Sequence, residues 1–189
     1  MAAHKDRLGG VLLGSVGQLG IGWPVPFAAG SGIPVMNRLA ARFLLEQGCR
    51  FVTASCELTH PELAQLMAGQ PPIVVPAWGR TQLMLLHHCP ARTALGLKSG
   101  HADCRLCDLR SPDALAGTCL EDRRGWRYPL LRTRLPEGCL VRLMNALPID
   151  VLRPVTAEGW APLVELTDDR ELPGTRCETT QGHWQRSVE

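Results

Sequence analysis

Apolar and polar positions first group into alternating strand and helix signals. "GGVLLGSV" is a short apolar run between glycines and predicts a buried strand. A glycine- and proline-rich loop follows. "MNRLAARFLLEQG" then has helical periodicity, with Asn37 placed to cap its start and Gly48 its end. Leu39, Ala40, Phe43 and Leu44 are expected to share its inner face. "RFVTAS" predicts the next strand. "THPELAQLMAG" predicts a second helix that opens on a capping box, Thr59 with Glu62, and stops at Gly69. "PPIVVPAWG" predicts a third strand, a short one because Pro76 has no N–H to give a ladder.

Strand, helix, strand, helix, strand at this spacing calls for parallel pairing through crossovers. The second half reads differently. "LEDRRGWRYPLLR" predicts a hairpin around Gly125, and "GCLVRLMNALPIDVL" and "GWAPLVELTDD" each contain a strand. "LPGTRCETTQGHWQRSVE" is polar and predicts loop. A complete eight-stranded β/α barrel takes about 250 residues, and the 189 residues here supply about half its strands. The fold class is therefore α/β: the C-terminal half of a TIM-like (β/α) barrel over residues 8–90, then a cysteine loop, a β arm and a small, mainly β extension over 91–189. An open parallel sheet leaves unpaired edge groups. The missing N-terminal half of the barrel, or a partner chain, is expected to cover that edge, and the chain alone is expected to be incomplete as a catalyst.

Composition changes this picture little. The net charge of +2 points to no nucleic-acid or membrane partner by itself. Lys5 and Lys98 are the only lysines beside eighteen arginines, which matches a GC-rich coding bias and, secondarily, recognition of phosphate or carboxylate by the guanidinium fork. The charged start "MAAHKDRLGG" has no apolar stretch of a secretory signal, and no apolar run reaches the ~18 residues of a membrane span. The expected compartment is the cytoplasm, where eight cysteines read as metal or redox chemistry rather than disulfides.

The cysteine spacing carries the most chemistry. Cys104 and Cys107 form C-x2-C, close enough for both sulfurs to meet one metal centre. Cys89 precedes them by fourteen intervening residues and Cys139 follows Cys107 by thirty-one. These four make a candidate thiolate set, with Cys119 the rival for the fourth position. Thiolates suit an iron–sulfur cluster or Zn²⁺. Structural zinc sites usually show two tight pairs, and only one is present here. Cys49, Cys56 and Cys177 read as small apolar residues or tail positions. His87 and His88 precede Cys89 as packed or solvated histidines, His88 being a weak catalytic candidate. Glu57, after the "RFVTAS" strand, is placed to orient a substrate or help start the next helix. Arg80, after the third strand, is placed to bind an anion or form a surface ion pair. Asp122 and Arg123 read as an ion pair holding the hairpin.

Several of these stretches resemble the collagenase-like peptidase family U-32. "WGRTQLMLLHHCP" is similar to its Y-G-R-x-P-L-M-x-x-x-H-C-P segment, and "LEDRRGWRYPL" to its L-x-D-R-x-G-x-x-F-P-L arm. "VMNRLAARFLLEQG" with "RFVTASCELTHPEL", and the ending "TTQGHWQRSVE", follow the family pattern in order from about residue 10 onward. Trp78 stands for the usual Tyr, Gln82 for Pro, Cys119 for an aromatic residue and Ser187 for Gly. The resemblance implies a TIM-like barrel with a C-terminal extension. It also implies one of two activities: a collagenase-like protease, or oxygen-independent hydroxylation of RNA or of an aromatic metabolite. The hydroxylating members hold a [4Fe-4S] cluster, which would fall on Cys89, Cys104, Cys107 and Cys139, with RNA or a small aromatic molecule as substrate. A zinc- or cluster-stabilised scaffold without catalysis is the remaining alternative.

Overall fold

The computed structural model describes residues 6–69, 71–97, 118–135, 138–166, 173 and 177–185. It is mixed α/β, with two sheets among the described residues. The chain divides into two compact units: Met1–Gly79 with Ile149–Glu189, and Arg80–Pro148.

The first unit is built on parallel strands. In chain order it contains β1 (Val11–Leu13), a 3-10 turn (Val16–Gly20), β2 (Phe27–Ala29), α1 (Arg38–Glu46), β3 (Val52–Thr53), α2 (His60–Met67) and β4 (Ile73–Gly79). The strand order is β1-β2-β3-β4, every pair parallel. Strand β2 lies in what the sequence marks as loop; flanking prolines and glycines hide its three residues. Val35, Val52, Val75 and Leu13 are fully buried between this sheet and the helices. The second unit holds β5 (Gln82–Leu86), α3 (Pro90–Ala94), β6 (Cys119–Glu121), β7 (Arg127–Leu135) and β8 (Gly138–Met144). The chain then returns to the first unit as β9 (Ile149–Asp150), α4 (Leu152–Ala157) and β10 (Ala161–Val164). Strand β10 pairs parallel with β4, and β9 pairs antiparallel with the end of β4. The parallel sheet thus draws strands from beyond residue 90, because the second unit is inserted between β4 and its later neighbours.

Local signals explain the helices. The Asn37 side chain accepts from the Ala40 N–H at 2.9 Å and caps α1. The Glu62 carboxylate accepts from the Thr59 N–H at 2.8 Å and from the Thr59 hydroxyl at 2.7 Å, opening α2. The inner face of α1 differs from the expectation. Ala41 and Leu44 are buried, whereas Leu39 is 78% and Phe43 50% exposed. Helical spacing admits two overlapping apolar stripes here, and packing chose the one through positions 41 and 44. Met36, Leu39 and Phe43 form the other stripe, on the surface.

The short third strand is a correction: β4 runs for seven residues despite Pro76. On one side β3 ends at Thr53, opposite Val74, before Pro76 is reached. On the other the register to β10 slips after Leu163–Pro76, so that Val164 pairs with Trp78 and Ala77 is passed over. The proline sits beside a bulge, where no ladder donor is required of it.

The second unit is a four-stranded antiparallel sheet in the order β5-β8-β7-β6. The expected hairpin is present: β6 and β7 pair across a turn at Gly125, whose φ is +82°. Asp122 organises that turn. Its carboxylate accepts from the N–H groups of Arg124 (2.8 Å) and Trp126 (3.0 Å) and from the Tyr128 hydroxyl (3.3 Å). The role is that of a turn-closing acceptor for backbone groups, where the sequence suggested an ion pair with Arg123.

Candidate functional site

Register decides which cysteines of the second unit share a face. In an antiparallel pair, directly opposed residues lie on one face and neighbours along a strand alternate. Leu130 pairs with Leu143, Arg132 with Val141 and Arg134 with Cys139. Cys139, Val141, Leu143, Leu130 and Arg132 therefore belong to one face. Tyr128 is on it too, and Tyr128 pairs with Leu120, which leaves the adjacent Cys119–Pro129 pair on the opposite face.

Cys89 joins the first of these faces. It is buried, 7% exposed, in a cluster with Leu130, Val141 and Leu143, against which Cys139, Tyr128, Leu86 and Ala91 also pack. Cys89 gets there as the residue before Pro90, at the N-cap of α3. Its neighbours His87 and His88 are exposed, as expected of adjacent positions in an extended segment. The structure thus brings Cys89 and Cys139 to one side of the sheet and sets Cys119 on the other. Cys104 and Cys107 lie outside the described residues. The described chain leaves at Leu97 and resumes at Thr118. The Thr118 carbonyl accepts from the Leu130 N–H at 3.0 Å, and its hydroxyl from the Arg132 guanidinium at 3.1 Å. Among the described residues no group of three or more His, Cys, Asp or Glu side chains is arranged to hold a metal.

Arg80 has a local task. Its guanidinium donates to the carbonyls of Asn145 and Ala146, tying the start of β5 to the end of β8. Both ends of that link lie within the second unit.

In the first unit a polar group gathers at the carboxyl ends of the parallel strands, where α/β proteins build their sites. The Ser31 hydroxyl, after β2, donates to the Glu165 carboxylate, after β10, at 2.5 Å. Cys56 and Glu57 follow β3, and both are exposed. The Glu57 N–H donates to the Ser55 hydroxyl at 3.2 Å. Protein crowding around the Cys56 thiol, then the charges of Glu57 and Glu165, push its pKa up. Because the residue keeps solvent contact, that crowding is partial. A raised thiol pKa favours the neutral form and argues against a resting thiolate nucleophile at Cys56. Of this group, sequence reasoning singled out only Glu57. Ser31 was missed with its strand. Glu165 was visible as the residue ending "APLVE", but nothing local joined that stretch to the parallel sheet.

No helix among the described residues is long and apolar enough to cross a membrane. No family model, no curated protein and no solved structure matches the chain.

Proposed function

We propose that the chain is the C-terminal part of an enzyme similar to the U-32 family, that it carries a [4Fe-4S] cluster, and that it serves oxidative modification of RNA or an aromatic metabolite. The observation that carries this reading is the common face of Cys89 and Cys139. These residues lie fifty positions apart in sequence, yet both pack into one small cluster. Cys104 and Cys107, fixed as a pair by their spacing, complete the thiolate set. Zn²⁺ is the alternative occupant.

The donor set fits the group. Four thiolates around a cluster leave net negative charge, and such charge is tolerated in a half-buried place when cations stand near it. Arg132 lies on the same sheet face and Arg92 follows Cys89 in α3, both half-buried. A bound cluster supplies one-electron transfer; the chain supplies the thiolates, the apolar wall of Val141, Leu143 and Leu130, and the guanidinium groups.

The barrel reading rests on the consecutive, all-parallel order β1-β2-β3-β4, the order a β/α barrel uses. Strand β1 has β2 as its one partner among the described residues. The exposed stripe of Met36, Leu39 and Phe43, with Leu12 53% and Val16 56% exposed, supports a covering chain segment on this side. Purification without oxygen, followed by a visible spectrum and iron and sulfide analysis, tests the cofactor. A search for activity belongs to the chain together with whatever covers that edge.

A further inference from the structure

The polar ending "TTQGHW" has a place that the cluster reading leaves unused. We propose that residues 179–184 are a lid over the carboxyl ends of β3 and β4, opening as one piece to admit a small molecule to Ser55, Cys56 and His183. Three contacts hold the lid. The Thr180 carbonyl accepts from the Asp150 N–H at 2.8 Å. Gly182, at φ +56°, turns the chain so tightly against Ile149 that an added Cβ would lie 3.0 Å from its Cγ2. The Trp184 carbonyl accepts from the His60 N–H at 2.9 Å, while its indole lies 4.9 Å from the His60 ring and 6.2 Å from Trp160. That last contact satisfies one of the first-turn N–H groups of α2, which have no partner within their own helix.

Beneath the lid is a cavity of about 20 Å³, lined by Ser55, Cys56, Val75, Gln181 and His183 among others. That is room for about one water molecule. With the lid down the cavity admits nothing larger, so use of its polar groups requires the lid to move. The attachment suits movement. None of the described residues from 177 to 185 is buried, and the two backbone bonds to the body sit at its rim. Segments with few buried contacts open far more often than the core.

Amide hydrogen exchange of the whole chain tests this directly. In the wild-type protein the His60 and Asp150 amides, whose acceptors are lid carbonyls, share one protection factor. It lies at least tenfold below that of Val52 and Ala54, whose N–H groups bond within the parallel sheet. Equal protection at all four amides overturns the lid. In W184A, exchange at Asp150 rises at least tenfold along with His60, although Asp150 bonds at the other end of the lid. N-ethylmaleimide labelling of Cys56 rises at least threefold while buried Cys49 stays unlabelled, and W184F restores wild-type rates. A rise at His60 with Asp150 unchanged, or Cys49 labelling in step with Cys56, contradicts a lid that opens as one piece. Should W184A fail to fold, the wild-type comparison decides alone.

Discussion

Val141→Ala is the sharpest probe of the second unit's core. Val141 is fully buried, opposite Arg132 on β7 and Leu86 on β5, in the cluster that contains Cys89. The change removes two buried carbons at about 0.8 kcal/mol each. The partly collapsed space adds a few tenths more, for a total of about 2 kcal/mol. Cys89 is the natural reporter, because at 7% exposure it reacts with a thiol reagent only when its surroundings open. When opening and closing are fast relative to labelling, the rate follows the population of the open form. A loss of about 2 kcal/mol then raises the labelling rate about thirtyfold. The assay is site-resolved alkylation of metal-free protein, read by peptide mass spectrometry. Cys49, buried in the other core at 5% exposure, should keep its rate. A rise in Cys89 labelling of less than threefold refutes the packing argument. An equal rise at Cys49 refutes the view that Val141 acts on its own unit.

Two further outcomes follow from the geometry. Gly79 has φ +124°, and a Cβ there would run into the Glu165 carbonyl. Gly79→Ala should therefore cost at least the ~1–3 kcal/mol of a strained backbone, read as a lower midpoint of urea unfolding; an unchanged midpoint would show that β4 and Glu165 can part freely. For Asp122, partial desolvation pushes the carboxyl pKa up, but hydrogen bonds from Trp126, Arg124 and Tyr128 outweigh it and leave the pKa lowered. A lowered pKa in the folded state means stability present above the unfolded value of about 3.9 and lost as pH falls through the folded one. The hairpin's advantage over Asp122→Ala, followed by exchange of the Arg124 and Trp126 amides, should be full at pH 7 and vanish in strong acid; an advantage independent of pH contradicts this.

Much of the first unit was legible because its signals are local. Asn37 and the Thr59–Glu62 box each act within four residues, and the structure shows both. The hairpin at Gly125 was legible for the same reason. What escaped depends on distant partners. Pro76 reads as a strand breaker until one knows that β3 ends early and that β10 arrives with a bulge. The buried face of α1 could not be chosen from spacing, since residues 36, 39 and 43 are as apolar as 41 and 44. Ser31, Cys56, Glu57 and Glu165 meet only because β10 returns after an inserted unit of sixty-nine residues, Arg80–Pro148. His60, Trp160 and Trp184 likewise carry no motif that joins them. For the cysteines, spacing named a set of four and left Cys119 as rival. Strand register then set Cys119 on the face opposite Cys139, which no count along the chain could have done.

The central claim is a cluster on Cys89, Cys104, Cys107 and Cys139, and iron with acid-labile sulfide across a serine series tests it most directly. Anaerobically purified wild-type protein should hold about four iron and four sulfide per chain. Each of C89S, C104S, C107S and C139S should lose most of both, since a hydroxyl is a poor substitute for a thiolate, while C119S and C49S keep them. One zinc per chain without iron, or iron lost in C119S and kept in C139S, would contradict the account.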